Sequence, residues 1–389
     1  MKPESKKEHV IHQINRRKFL KSATLSIAGF SLLKAKAIAA AAENLGLKDY
    51  FRNDFKIGTA IGARTLMRED TEILELIKRE FNAITAENAM KWGPVHPADD
   101  RWNFEVADKL VEFGYENNMY ILGHVLVWHS QVARGLFTDE NGNQISKEAL
   151  TKKMENHITT LVGRYKGRID AWDVVNESIT PEDGYRKSKW FEIMGPEFME
   201  KAFHLAHEVD PDCHLMYNDY GMTDPKRRDF VVDLVKKYKR KGVPIHGIGM
   251  QGHYNLDSLN IREIEKSIEM FASTGMMVHI TELDLDVLPF DWENTAEVST
   301  NIKYDKKLNP YVDGLPKEVE DKFTKGYEDL FKLFLKHKDK IERVTFWGVS
   351  DDMSWKNNFP VRGRTNYPLL FNRDRKPKDA YHAVIGLKK

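Results

Sequence analysis

Ile169-Asp170-Ala171-Trp172-Asp173-Val174-Val175 runs apolar and β-branched for the length of a strand, then stops in the polar pair Asn176-Glu177. Before it, Lys147 to Tyr165 carries apolar residues three and four apart, the spacing of one helix face. After it, Pro196 to Val209 repeats that spacing and His214 to Tyr217 is again strand-like. Strands alternating with helices in this way build a parallel sheet.

The rhythm extends in both directions. Further strand candidates are Phe55 to Gly62, Phe81 to Ala86, Tyr120 to Val127, Ile245 to Met250, Met276 to Thr281 and Arg343 to Trp347. Further helical stretches are Thr71 to Arg79, Arg228 to Lys241, Ile261 to Thr274 and Val319 to His337. Eight strand units are enough to close a barrel, and 389 residues less an export segment suit that fold's size. No Pro/Gly/Ser-rich linker or internal repeat marks a second domain. The expected fold is therefore α/β, a single (β/α)8 TIM barrel over residues 43–389, with its chemistry in the loops after the strands. The irregular stretch from Val287 to Pro316 is long for a connection, which makes it a candidate functional loop.

Lys and Arg total 60 against 59 for Asp and Glu, so there is no positive surplus for a polyanion; a neutral partner and no nucleic acid are expected. Cys213 is the single cysteine, which excludes an internal disulfide and a cysteine-rich metal site; it reads as a small buried apolar residue beside a strand. At the start, Asn15-Arg16-Arg17-Lys18-Phe19-Leu20-Lys21 precedes an apolar run from Ala23 to Leu33 and the small residues Ala37-Ile38-Ala39-Ala40-Ala41-Ala42. Basic, apolar, small is the order of an export signal, here assigned to residues 1–42. The apolar run is about half of what a spanning helix needs, so the mature protein is not expected to be membrane-embedded. Arg-Arg-x-Phe-Leu-Lys is similar to a twin-arginine signal, which implies a periplasmic or secreted product. A merely basic, amphipathic or disordered N-terminus is the alternative.

Glu177 ends the fourth candidate strand, and Glu282 in Val278-His279-Ile280-Thr281-Glu282-Leu283-Asp284 ends the seventh. Two carboxyls facing one cleft are what acetal cleavage needs: one protonates the leaving oxygen while the other attacks or stabilises the anomeric carbon. No metal and no cofactor are required. A single glutamate at a strand end is equally well a structural ion pair, so the neighbours matter.

Those neighbours are Ala86-Glu87-Asn88-Ala89-Met90-Lys91-Trp92, Gly123-His124-Val125-Leu126-Val127-Trp128-His129-Ser130-Gln131, Trp172 to Glu177, Gly249-Met250-Gln251-Gly252-His253, Ile280 to Asp284, and Trp347 with Trp355. With these blocks in order, the chain resembles glycoside hydrolase family 10 xylanases over residues 50 to 388. The resemblance implies a retaining endo-β-1,4-xylanase with Glu177 as acid/base and Glu282 as nucleophile. It further implies that Asn176 bonds the sugar 2-hydroxyl and that His253, held by Asp284, orients Glu282. Glu87, Asn88, Lys91, His124, Trp128, Gln251, Trp347 and Trp355 match glycone-side binding residues, with the two last tryptophans as a wall against the hydroxymethyl of glucose. Asn218 and Tyr220 are expected to touch the aglycone. The partners implied are xylan and xylooligosaccharides, and a monomer is expected.

His124 and His129 flank Trp128 as a metal pair would, but no third ligand stands at zinc-like spacing. The chain departs from the family pattern after Gln131, reading Val132-Ala133-Arg134 where Pro and Trp are common, and Arg134 is a candidate for contacting acidic decorations. A related β-1,4-glucanase and a non-catalytic xylan-binding barrel are the competing readings.

Overall fold

The computed structural model describes residues 45–289 and 302–389. Residues 1–42, expected from the sequence to be an export signal, and residues 290–301 of the stretch from Val287 to Pro316 lie outside the described residues.

Eight strands pair in parallel and close on themselves: β1 (Lys56–Ile61), β2 (Ala83–Ala86), β3 (Tyr120–Val127), β4 (Ala171–Asn176), β5 (His214–Asp219), β6 (Gly247–Met250), β7 (Met277–Asp286) and β8 (Ile341–Phe346). Closure is the pairing of β8 with β1, Lys56 opposite Arg343. Outside run α1 (Thr71–Glu80), α2 (Glu105–Glu116), α3 (Lys147–Arg164), α4 (Glu197–Val209), α5 (Pro225–Lys241), α6 (Ile261–Ser273), α7 (Lys317–Lys336) and α8 (Asp379–Gly386), one after each strand. The expected (β/α)8 barrel is thus the fold found. Helices on one face and a filled barrel on the other bury the strands almost completely, which is why they read as largely apolar runs.

Two apolar regions result. The larger lies between barrel and helices; a small cluster of Leu122, Ala171 and Met216 fills part of the interior. Helix ends are set locally: α5 begins with Asp224 accepting from the Arg227 N–H, has Pro225 in its first turn and ends at Gly242 with φ +71°. Such an N-cap contributes about 1 kcal/mol. Cys213 is buried just before β5, its Sγ 3.5 Å from the Ile169 carbonyl, and burial pushes the thiol up, in keeping with an inert residue. Among the described residues no helix is long and apolar enough to cross a membrane.

At the strand-start end of the barrel, His279 Nε2 lies 3.1 Å from His214 Nε2, and Arg343 Nε donates to His279 Nδ1 at 3.2 Å. The arginine fixes the proton of His279 on Nε2, so His279 donates and His214 accepts. Burial first, then the charges of His246, Arg343 and Lys56, hold His214 down to about 4, with Glu342 opposing. Between that value and the ordinary 6.5, the unfolded chain takes up a proton that the folded one refuses. Stability is therefore expected to fall as pH drops from 6.5 to 4, with a shallower slope in His214→Asn. Thermal midpoints against pH for both proteins check this; identical slopes would show that the pair contributes nothing.

Candidate active site

The chemically active side chains come from the carboxyl halves of strands and from the loops that follow them. Glu87, Asn88 and Lys91 follow β2; His124 is on β3 and Trp128 follows it; Asn176 ends β4 and Glu177 follows; Gln251 follows β6; Glu282 and Asp284 are on β7; Trp347 follows β8 and Trp355 lies in its loop. Together with Gln131, His253 and Phe359, all of these but Asp284 line one cavity of about 270 Å3.

The barrel's register shifts at the points where this matters. The β3–β4 pairing slips between His124 and Val127, β4–β5 between Asp173 and Val175, and β7–β8 between Ile280 and Leu283. Such irregularities bend a strand and re-aim its side chains. β7 is longer than the sequence suggests: past Ile280 it leaves β6 and pairs with the short strand His253–Asn255, Asp284 opposite His253. Glu282 therefore sits at an irregularity inside the strand, not at its end. Glu177 stands at φ +54°, a left-handed conformation that costs a non-glycine residue about 1 kcal/mol or more.

The two carboxyls have different surroundings. Glu177 meets neutral donors: Trp128 Nε1 at 2.8 Å on one oxygen, Gln251 Nε2 at 2.8 Å and Asn176 Nδ2 at 3.1 Å on the other. Glu282 accepts from Asn218 Nδ2 at 2.8 Å and faces His253 Nε2 at 3.2 Å. Burial would raise Glu282, but the His253 hydrogen bond, the charges of His124 and His253, and the Asn218 amide together hold it below the ordinary carboxylate value. Burial would likewise lower His253, yet the charge of Asp284 and its contacts with both carboxylates raise it to about 9. An imidazolium thus sits between two carboxylates. Its Nδ1 stands 3.0 Å from Asp284 Oδ1 as an ion pair rather than a well-aligned hydrogen bond.

Asp284 is braced in turn by Trp355 Nε1 at 2.9 Å and Lys356 Nζ at 3.3 Å. Despite burial, the charges of His253 and Lys356 keep it low. On the other wall, His124 Nδ1 lies 2.8 Å from Asp173, which leaves Nε2 for a ligand. Lys91 Nζ donates to Asn88 at 3.0 Å and lies over Trp128; burial lowers it, while Glu282, Glu87 and Glu177 oppose that. Burial raises Glu87 against the pull of Lys91 and Asn88. Trp347 packs edge-on to His124 at 5.4 Å between centroids, and Trp355 stacks on Phe359 at 5.1 Å.

A model of glycosyl hydrolase family 10 matches residues 46–387. The chain belongs to this family. An endo-1,4-beta-xylanase A of Xylanibacter ruminicola is 44% identical over 352 residues, covering 90% of this chain and 95% of the relative. A GH10 endoxylanase retrieved from a sugarcane soil metagenome superposes with a TM-score of 0.85 at 56% identity, covering 88% of this chain and 100% of the other. Xylanase XynB from Paenibacillus barcinonensis, solved with a conduramine derivative, does so with a TM-score of 0.80 at 39% identity, covering 87% and 98%.

Within this family 10 barrel, one sequence expectation needs correction. Asn218 is no aglycone contact: it is fully buried, accepts from Thr281 Oγ1 at 2.7 Å and donates to both Glu282 and Asn176. Its partner position is Gly249, where a Cβ would come within 2.4 Å of Asn218 Oδ1. Trp128 and Gln251 line the cavity as expected, but each also directs an N–H at Glu177. Arg134 is exposed and does not line the cavity. Tyr220 borders a neighbouring cavity of about 510 Å3, which leaves its expected aglycone contact open. Gln131 and Phe359 are lining residues that the sequence reading did not single out.

Among the described residues, the one cluster of His, Cys, Asp or Glu close enough to share an ion is Glu265, Glu269 and His337. It joins α6 to the end of α7, and Lys336 Nζ already lies 2.6 Å from Glu265.

Proposed function

We propose that the chain is a retaining endo-β-1,4-xylanase acting on xylan and xylooligosaccharides, with Glu282 as nucleophile and Glu177 as acid/base. The observation that carries the reading is the pairing of two buried carboxyls in one cavity, one beside an imidazolium and one among neutral donors. Glu282, kept ionised, attacks the anomeric carbon while Glu177 gives its proton to the leaving oxygen. Glu177 then takes a proton from water as the glycosyl ester is hydrolysed. Asn176, next to Glu177, is suited to the sugar 2-hydroxyl, and Trp347 and Trp355 to closing the site against a hydroxymethyl group.

Proton NMR of xylopentaose hydrolysis tests this. The first-formed reducing end is expected to be the β-anomer; an α-anomer would overturn the double displacement, and absence of cleavage would favour a binding protein.

Residues 1–42 support export through a twin-arginine route to the periplasm or beyond. Changing Arg16 and Arg17 together to lysine is expected to leave unprocessed precursor in the cytoplasmic fraction. Normal processing of that variant would point to a different route.

A further inference from the structure

The left-handed turn that presents Glu177 needs something to hold it. The Glu177 N–H donates to the Asn218 carbonyl at 2.9 Å, which ties the incoming side of the residue to β5. On the outgoing side Arg186 Nε donates to the Glu177 carbonyl at 2.7 Å, while the Ser178 N–H of the same peptide donates to Tyr217 Oη at 3.2 Å. Arg186 reaches that point because the chain after Glu177 doubles back as a two-stranded hairpin, Ile179–Thr180 against Gly184–Tyr185. The hairpin ends with the Arg186 N–H on the Ser178 carbonyl at 2.8 Å. Arg186 Nη2 also donates to Tyr220 Oη at 2.8 Å, which steadies the guanidinium. The side chain lies on the wall of the neighbouring 510 Å3 cavity and is not part of the lining around the two carboxyls.

We propose that Arg186 is a positioning residue that clamps the Glu177 turn and so aims the acid at the leaving oxygen. The proposal rests on Glu177 being the acid/base.

In the glycosylation step the bond from the anomeric carbon to Glu282 forms and the bond to the leaving oxygen breaks. The electron pair stays on that oxygen, which takes the proton of Glu177. A sugar leaving group needs that proton early; a dinitrophenolate does not. A loosened turn therefore slows one class of substrate selectively, whereas a damaged fold slows both alike.

The experiment compares kcat/KM, which reports glycosylation, for xylotetraose and for 2,4-dinitrophenyl β-xylobioside. In Arg186→Ala a fall of about 100-fold is expected for xylotetraose and of less than about threefold for the aryl glycoside. Arg186→Lys keeps the charge but lacks the planar fork, so about a tenfold fall confined to xylotetraose is expected. Equal falls for both substrates in both variants, or an unchanged xylotetraose value, would overturn the proposal. Glu177→Ala in the same assay separates the two levels: if it too loses both substrates equally, the acid/base reading fails, and the proposal with it.

Discussion

Glu282→Ala is expected to lower kcat on xylohexaose by about 10⁴-fold or more, the scale on which loss of a nucleophile acts. The size follows from how completely the site commits to an ionised carboxylate there. Asn218 and His253 both direct N–H groups at it, and His253 is itself held charged by Asp284. With alanine the imidazolium remains but no group attacks the anomeric carbon. The truncated side chain leaves a gap on that face, so azide with 2,4-dinitrophenyl β-xylobioside is expected to restore turnover and give the α-xylobiosyl azide. Product NMR reads the outcome. A β-azide would exchange the roles of the two glutamates, and activity within tenfold of wild type would remove Glu282 from the mechanism.

Much of this was visible before any coordinates. Strands buried on both faces are written as apolar runs, and the polar residues that interrupt them mark the barrel mouth, so Glu177 could be placed from Val174-Val175-Asn176 alone. Register is a different matter. Where a strand slips against its neighbour depends on the partner, which is why the sequence ends the seventh strand at Thr281 although β7 continues to Asp286 by pairing with His253–Asn255. The same limit misplaced Asn218. β5 runs on to Asp219, and in a strand Asn218 shares a face with Met216, a member of the inner cluster. Alternation from Met216 was the signal that pointed Asn218 inward, beneath Glu282.

The exposed lining was harder to read. Gln131 and Phe359 reach the cavity from irregular loops, with φ +48° at Gln131, and no periodicity governs such positions. α2 and α8 escaped the list of helical stretches although both carry buried faces; α8 has only 8 residues, too few for spacing to repeat.

Glu177→Ala is expected to separate the two half-reactions. Losing the acid removes proton delivery to a sugar leaving group, so kcat/KM for xylotetraose is expected to fall by about 10³-fold or more, within the range of general acid–base catalysis. The same ratio for 2,4-dinitrophenyl β-xylobioside is expected to change little, since Glu282 and its partners are untouched and the phenolate leaves unaided. Its kcat is nevertheless expected to fall, because hydrolysis of the glycosyl ester has lost its base. Azide needs no base and approaches from the Glu177 side, so it is expected to raise that kcat and yield the β-xylobiosyl azide, opposite in configuration to the product from Glu282→Ala. Stopped-flow release of dinitrophenolate should then show a burst followed by slow turnover, with azide accelerating only the slow phase. Equal loss on both substrates without a burst would mean that Glu177 supports the fold of the cleft and that the proton comes from elsewhere.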